Sequence, residues 1–219
     1  MQPSVRRGAE YSRSAMSEWN RPPAGIEVAE FFERWLPQAY AASGKQADGT
    51  APLVRASLSG PSGGAWDLQA DEEGLQVEAP SRNLPDVWIR QSVQDFRAAF
   101  DGDPLLPPLI PPGLGALDLL FLDPRDQDLL KQVQGRALVE LTGNKARRWS
   151  FDVAFGASGA TAGRPRTTIR LDGPTFEGIQ NGSLSPMQPL LDGRLKLEGD
   201  RALAMQLLIL LGSRLNRGG

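Results

Sequence analysis

The residue types most often used for covalent or metal chemistry are missing from this chain. Its 219 residues include no histidine and no cysteine. A Ser-His or Cys-His nucleophile therefore cannot form, zinc loses both of its usual ligands, and disulfides are excluded. Acid–base catalysis would depend on carboxylates alone, and no spacing singles out a pair of them. We predict no catalytic residue and no cofactor.

Three aspartates, Asp123, Asp126 and Asp128, are close enough in sequence to suggest a calcium loop. Their spacing misses the EF-hand pattern, and the glycine and terminal glutamate of that loop are absent. Helix capping and a favourable helix dipole explain these aspartates better, so we predict no metal site.

The basic and glycine-rich segments give no better sign of a phosphate site. Lys145, Arg147 and Arg148 follow a Gly-Asn turn signal and are interpreted as a solvated turn. The glycines of 156–163 fit neither a Walker loop nor a dinucleotide fingerprint. Arg90 and Arg170 are interpreted as outward-facing strand residues, with an ion pair or a headgroup contact as the alternative.

The overall charge excludes one large class of partner. Lys and Arg number 24 against 26 Asp and Glu, which leaves a net charge of −2 and no field for nucleic acid. Residues 1–24 are polar and contain no apolar run of the kind that a secretory signal needs. The expectation is a cytoplasmic monomer that binds no nucleic acid.

Alternation of apolar and polar residues predicts eight short strands. They fall at 53–58, 65–69, 75–78, 87–91, 136–141, 148–155, 166–171 and 194–198. Helical spacing predicts helices at 26–42, after Ser92, at 114–122, from Pro124 to about Gln134, and around Phe176 and Met187. Pro37 lies inside the first helix and should kink or split it.

The last predicted helix, 201–211, is apolar nearly all the way round, with Gln206 as its one polar interruption after Arg201. Asp200 is a good N-cap for it. A surface helix keeps a polar face, so this helix should be wholly buried or should cover something apolar. It is too short to span a bilayer, which takes about 20 apolar residues.

The order of these C-terminal elements resembles the end of the sterol carrier protein-2 domain, over roughly the last 85 residues. The resemblance is carried by the Phe176-x-x-Ile179 helix, Gly182-Ser183-Leu184-Ser185-Pro186, Gly193-Arg194-Leu195-Lys196-Leu197-Glu198-Gly199-Asp200, and Ala202-Leu203-Ala204-Met205. It implies a small α+β domain that encloses an apolar tunnel for lipids and has no catalytic residues.

The candidate ligand-binding residues are apolar side chains expected to line such a cavity: Phe151, Val153, Ile169, Phe176, Ile179, Met187, Leu190, Leu203, Leu207 and Leu211. Each methylene that leaves water contributes ~0.8 kcal/mol, so a sixteen-carbon chain offers about 12 kcal/mol before ordering costs. The alternative is that these side chains fill a solid core.

The two halves of the chain also resemble each other. Matching residues occur in the same order at offsets of 83 and then 80: Leu58 and Trp66 match Leu141 and Trp149, and Ile89 and Phe96 match Ile169 and Phe176. We predict a disordered tail at 1–24, a degenerate sterol carrier protein-2-like repeat at 25–103, a Pro- and Leu-rich apolar connector at 104–122, and a lipid-binding domain of the same kind at 123–219. The alternative is two similar hairpin-and-helix units within one domain.

The predicted fold class is therefore α+β, with two sterol carrier protein-2-like units, each a mixed β-sheet covered by helices, and an apolar cavity in the second. The predicted function is non-enzymatic binding and transfer or presentation of a sterol, a fatty acyl chain or an isoprenoid, with a membrane surface as a transient partner. The alternative is an interaction or scaffold module whose cavity is filled, such as an accessory factor of a lipid pathway. A third hypothesis is an enzyme that uses carboxylates alone.

Overall fold

The computed structural model describes residues 22–44, 47, 51–101, 124–143, 148–161, 163–180 and 183–215. The predicted connector at 104–122, with its predicted helix at 114–122, lies outside the described residues, as do Asp123, the basic residues Lys145 and Arg147, and most of the predicted tail. Among the described helices, none combines the length and the apolar character that crossing a membrane requires.

Eight strands carry the fold. They are β1 (Val54–Ser59), β2 (Gly64–Asp71), β3 (Gly74–Glu78), β4 (Val87–Ser92), β5 (Gly135–Thr142), β6 (Arg148–Phe155), β7 (Thr167–Asp172) and β8 (Lys196–Gly199). All eight predicted strands are present, with ends that differ by a few residues. Alternating burial is clearest in β7, where Thr167, Ile169 and Leu171 are buried and the residues between them are not, whereas β1, β2 and β6 each contain three consecutive buried residues.

The described helices surround these strands. Helix α1 has three consecutive segments, Val28–Glu30, Phe31–Trp35 and Leu36–Ala42. The others are α2 (Val93–Asp101), α3 (Pro124–Gln132), α4 (Gly156–Thr161), α5 (Gly173–Gln180), α6 (Met187–Leu191) and α7 (Arg201–Leu215).

The strands form a single mixed sheet in the order β3-β2-β1-β4-β6-β5-β7-β8. Strand β1 pairs with β4 in parallel, β5 pairs with β7 in parallel, and the remaining pairs are antiparallel. The α+β class is confirmed. The strands of the two predicted units lie side by side in this one sheet, because β4 and β6 pair across their boundary.

The two faces of the sheet differ in chemistry. Residues directly opposite one another on neighbouring strands point to the same face. One face is apolar from edge to edge and carries Val77, Leu68, Ala56, Ile89, Val153, Val139, Ile169 and Leu197 in successive strands. The other face carries Asp67, Arg55, Arg90, Asp152, Glu140 and Arg170. We call these the apolar face and the polar face.

The apolar face of the first half is closed by aromatic rings. Phe32 of α1 stacks on Trp66 with ring centroids 4.5 Å apart, and Phe31 contacts Phe96 of α2 at 5.0 Å. Phe96 in turn meets Phe100 edge to face at 4.9 Å. Phe31 and Phe32 are almost fully buried. This half has a filled core.

Helix α1 is not split at Pro37. The segment Phe31–Trp35 just before it is a π turn, in which the backbone N–H of Leu36 bonds to the carbonyl of Phe31, five residues back. Proline has no N–H to give to the carbonyl four residues earlier, so a regular α-helix would leave that carbonyl unpaired at this point. The wider turn changes the bonding pattern before Pro37, and the helix continues to Ala42.

A buried ion pair stabilises the polar face of the first half. Arg55 donates to both carboxylate oxygens of Asp67, at 2.6 and 2.8 Å, and to the carbonyl of Ser81 at 2.9 Å. Burial tends to raise the pKa of Asp67, but the hydrogen bonds from Arg55 and Ser81 outweigh it and hold that pKa below its ordinary value of 3.8. The pair fixes the 79–86 loop to the sheet.

Replacing one partner should therefore be costly. We expect Asp67→Asn to lower the free energy of unfolding by about 3 kcal/mol at neutral pH, because a buried Arg55 loses its counter-charge. The double variant Arg55→Met, Asp67→Leu should recover part of that loss. Urea unfolding monitored by circular dichroism measures all three proteins.

The pH dependence provides a second readout of the same pair. Because the folded pKa of Asp67 is depressed, its contribution to stability is complete above about pH 3.8 and is lost as the pH falls through the folded value. The wild type should therefore lose more stability below pH 3.8 than Asp67→Asn does. Parallel acid profiles for the two proteins would contradict this assignment.

Candidate apolar binding site

The candidate site begins with adjacent side chains on the apolar face of the second half. Val139 of β5 lies opposite Phe151 of β6 on one side and opposite Ile169 of β7 on the other. Val153 lies one step further along β6, opposite Ala137. The predicted site residues Phe151, Val153 and Ile169 are thus brought onto one continuous surface. Val153 and Ile169 are buried, and Phe151 is partly buried.

Helix α5 covers part of this surface. Its first turn is capped by Asp172, whose carboxylate accepts a hydrogen bond of 2.7 Å from the backbone N–H of Thr175. The helix contacts β5 and β7, and two of its side chains, Phe176 and Ile179, pack into the core. Ile179 is buried and Phe176 is only partly so.

Helix α7 covers another part and is fixed at its beginning. The Asp200 carboxylate accepts hydrogen bonds from the backbone N–H groups of Ala202 and Leu203, which confirms the predicted N-cap. The backbone carbonyl of Asp200 accepts a hydrogen bond of 2.9 Å from the Thr167 hydroxyl, and the backbone N–H of Asp200 donates to the Arg166 carbonyl. The helix therefore starts at a fixed place beside β7 and contacts β5, β7, β8 and α3.

Of the two alternatives predicted for α7, complete burial is excluded, and the covering of something apolar stays a prediction. Leu203, Ala204 and Leu207 form its buried side, whereas Met205 is 37 % and Ile209 is 58 % exposed. The helix has an inner, apolar side and an outer side on which Met205 and Ile209 lie together with the polar Gln206. Leu203 and Leu207 lie on the side that packs into the core, as the site prediction requires.

The remaining predicted site residues, Met187, Leu190 and Leu211, lie on α6 and α7 and are partly buried, exposed or outside the described side chains. Leu190 of α6 packs against the core and is partly buried, but Met187 at the start of the same helix is 42 % exposed. Leu191 is 83 % exposed. Leu211 lies in α7, and its side chain is outside the described part of the chain.

Several residues of the site were missed by the sequence reasoning. Val139 lies at its centre, Leu197 of β8 lies opposite Ile169, and Trp149 contacts Phe151 with ring centroids 5.3 Å apart. The same alternation that selected Phe151 and Val153 would have selected Trp149, two residues earlier. Val139 could have been found from its place at the middle of an alternating strand.

The strand side chains that form the candidate site are almost all uncharged and apolar. The apolar-face residues of β5 to β7 include one polar side chain, Thr167, which is buried and bonded to Asp200. Ionised groups of these strands lie on the polar face. There Arg170 bonds to Glu198 and Glu140, and these bonds raise the pKa of Arg170. The described apolar-face side chains of β5 to β7 carry no charge.

The polar face also shows where Arg90 and Arg170 lie. Arg170 faces outward, as predicted, and pairs with Glu140 and Glu198, whereas Arg90 is mostly buried and forms the ion pair that was the alternative. Arg90 lies 3.5 Å from Asp152, which Arg136 also contacts at 2.7 Å. Burial, followed by the nearby charge of Arg136, lowers the pKa of Arg90 against the opposing effect of Asp152.

The acidic residues considered for calcium do not form a site in the part of the chain that the structure describes. Asp126 is buried in α3, and Asp128 is exposed and pairs with Lys131 at 3.0 Å. Over the described residues, no three carboxylates come together in a way that could hold a metal ion.

The second half thus combines an apolar sheet face with a covering helix, α7, whose exposed side chains include Met205 and Ile209. Residues 116–211 match the SCP-2 sterol transfer family. The predicted resemblance is confirmed for this part of the chain. The match supports lipid binding or transfer in general.

Two curated relatives match part of the chain. Hydroxysteroid dehydrogenase-like protein 2 of Xenopus tropicalis is 29% identical over 91 residues, which are 40% of this chain and 22% of that protein. The protein of the same name from Xenopus laevis is 28% identical over 91 residues, with the same coverage. The match spans about a fifth of the length of these relatives.

Solved structures of sterol carrier proteins also align with part of the chain. Sterol carrier protein domain 2 of Helicoverpa armigera is 19% identical, with a TM-score of 0.33, and the alignment covers 41% of this chain and 76% of that one. Sterol carrier protein 2 from Yarrowia lipolytica, in its apo form, is 17% identical with a TM-score of 0.33 and coverage of 43% and 79%.

The fixed start of α7 can be tested with two glycines. Gly199 has a φ of +90°, and a Cβ added there would lie 1.9 Å from the Arg166 carbonyl oxygen. Gly193 has a φ of +78° and open space around it. Gly193→Ala should cost roughly 1–2 kcal/mol for the left-handed backbone alone. Gly199→Ala should cost clearly more, because the chain must also move away from β7.

Urea unfolding of the two variants measures the difference. The site geometry further requires that Gly199→Ala weaken the contact between α7 and the sheet, so near-ultraviolet circular dichroism should change in this variant and stay unchanged in Gly193→Ala. Equal losses of stability would mean that α7 is not fixed through this backbone contact.

Proposed function

We propose that this chain is a non-enzymatic lipid-binding protein. The apolar face of its second half, under α5 and α7, takes up a sterol, a fatty acyl chain or an isoprenoid. The protein then transfers this lipid or presents it to another protein. The ligand contacts Phe151, Ile169, Phe176, Leu203 and Leu207, with Trp149 at the border of the site.

The observation that carries this proposal is a contrast between the halves. In the first half, aromatic rings in direct contact fill the space over the apolar face. Among the described residues of the second half, ring contact is limited to Trp149 and Phe151, and the large side chains Phe151, Phe176, Leu190 and Leu197 are only partly buried, as are Val77, Ile89 and Phe100 of the first half. Partial burial of large apolar groups beside a packed core favours a surface that a ligand completes. The family match supports the same conclusion.

The energetics allow useful affinity without any polar anchor. Burial of a sixteen-carbon chain offers about 12 kcal/mol, and association costs about 4 kcal/mol or more. The remaining 8 kcal/mol or so corresponds to a dissociation constant of about 1 μM. Met187 lies in α6, the helix that contributes Leu190 to the site, and its flexible side chain can adapt to ligands of different shape.

The exposed apolar side chains of α6 and α7 favour a second candidate function, an interaction module whose interior is filled. Leu191 and Ile209 are large, apolar and mostly exposed, as in a protein-binding surface. Native mass spectrometry separates the two functions. Co-purified lipid favours the carrier, and a lipid-free mass with a stable protein partner favours the interaction module.

Contact quenching of tryptophan tests the position of the ligand. Delipidated protein titrated with a dibrominated stearic acid should lose fluorescence with a midpoint of about 1 μM, because the bromines quench Trp149 on contact. In Trp149→Phe this loss should be largely abolished. Unbrominated stearic acid controls for effects of binding itself.

Two matched variants make this test specific. Trp88 lies on the polar face and Trp66 lies in the filled core of the first half, so Trp88→Phe and Trp66→Phe should keep the quenching seen in the wild type. Loss of quenching in Trp66→Phe would place the ligand in the first half. Failure of the wild type to bind fatty acid, sterol and isoprenoid probes alike would remove the proposed function.

A further inference from the structure

Both halves of the sheet contain the same three-stranded arrangement. A hairpin, β1-β2 or β5-β6, has a first strand that also pairs in parallel with a later strand, β4 or β7. The parallel registers agree as well: Ala56 lies opposite Ile89, and Val139 lies opposite Ile169. These pairs are related by the offsets of 83 and 80 that relate the two halves in sequence.

The halves differ in the strands at their ends. The first half continues past β2 to a third antiparallel strand, β3, but among the described residues it has no strand of its own after β4. The second half has such a closing strand, β8 beside β7. Between β6 and β7, where the first half has β3, the second half has the helix α4.

The pairing of β4 with β6 supplies both of the missing neighbours. Beside β4, Trp88, Ile89 and Arg90 face Ala154, Val153 and Asp152 of β6. Beside β7, the corresponding residues Thr168, Ile169 and Arg170 face Glu198, Leu197 and Lys196 of β8. Strand β6 therefore pairs with β4 in the first half in the way that β8 pairs with β7 in the second. Seen from the other half, β4 pairs with β6 in the way that β3 pairs with β2.

We propose that the two halves are incomplete repeats that complete each other through this seam. Each half provides the strand that the other lacks: β6 is the closing strand of the first half, and β4 is the third strand of the second half. An isolated half would present a long unpaired edge, whose N–H and C=O groups would have no partner. The chain is therefore one cooperative folding unit, and this conclusion does not depend on lipid binding.

Contacts outside the strand ladder reinforce the seam. The indole of Trp149 donates a 2.6 Å hydrogen bond to the Asp95 carbonyl of α2, and the Ser150 hydroxyl lies 3.3 Å from the Asp95 carboxylate. Gln91 donates to the Ser150 carbonyl at 3.0 Å. The backbone N–H of Gly156 bonds to the carbonyl of Asp86 at 2.8 Å. Helix α2 of the first half thus borders the candidate site through Trp149.

Native-state hydrogen exchange on the full, ligand-free chain tests the proposal. Exchange of the most protected amides in β1 and β2 is followed beside that of β5 and β7 as urea is raised below the unfolding transition. One cooperative unit predicts that both groups reach the same limiting rate and the same urea dependence. Two separate limits, with one half opening while the other stays protected, would overturn the proposal.

Two core variants test whether the two halves could reach the same limiting exchange rate by chance while unfolding independently. Leu68 lies in the first half and Leu141 in the second, and both are at most 1% exposed. Leu68→Ala should accelerate the slowest exchange of β5 and β7 by about 30-fold or more, and Leu141→Ala should do the same for β1 and β2. Acceleration confined to the mutated half contradicts the proposal. If either variant fails to fold, the wild-type urea series still decides between the two outcomes.

Discussion

The antiparallel pairing of β4 with β6 is the interaction on which the other features of this molecule depend. It extends two four-stranded groups into one sheet, so that the apolar face runs without interruption from Val77 to Leu197. It brings Arg90 beside Asp152 on the polar face and α2 beside Trp149 on the apolar face. Without this pairing, the candidate site would lose one of its borders, and Arg90 would be separated from Asp152.

The division of the sheet into an apolar and a polar face follows from the strand repeat of two, and it separates the charged side chains of the strands from the candidate site. Ionised side chains on the polar face are paired with one another, as in Arg55 with Asp67 and Arg170 with Glu140. Their charges therefore lie on the other side of the sheet from the candidate site. For an apolar molecule on the opposite face, affinity would depend on shape and on the area removed from water.

Local features of this fold could be predicted from sequence because they depend on neighbouring residues. The alternation in 167–171, the Asp200 cap and the break at Gly199 each involve a few consecutive positions, and the structure contains all three. The β4–β6 register could not be predicted, because both strands have apolar and polar sides and their pairing joins residues about sixty positions apart.

The π turn before Pro37 was missed for another reason: a proline predicts a disturbed helix, but the sequence does not say whether the disturbance is a break or a wider turn. In the same way, the composition of α7 identified an apolar helix but not which of its sides would be covered, so the exposure of Met205 and Ile209 was unforeseen.

The different coverings of the two halves explain how one sheet can combine a closed core with a candidate binding surface. Strand residues at equivalent registers, such as Ala56 and Val139, present similar apolar surfaces. Over the first surface, α1 contributes Phe31, Phe32 and Trp35, whose flat rings stack on one another and on Trp66 and leave little room. Over the second surface, α5 and α7 contribute mainly leucine, isoleucine and a single phenylalanine, which pack around the sheet without a stacked aromatic layer. Because the strands are alike, the difference between the halves lies in the helices: α1 adds a stacked aromatic layer over the sheet, and the described side chains of α5 and α7 do not.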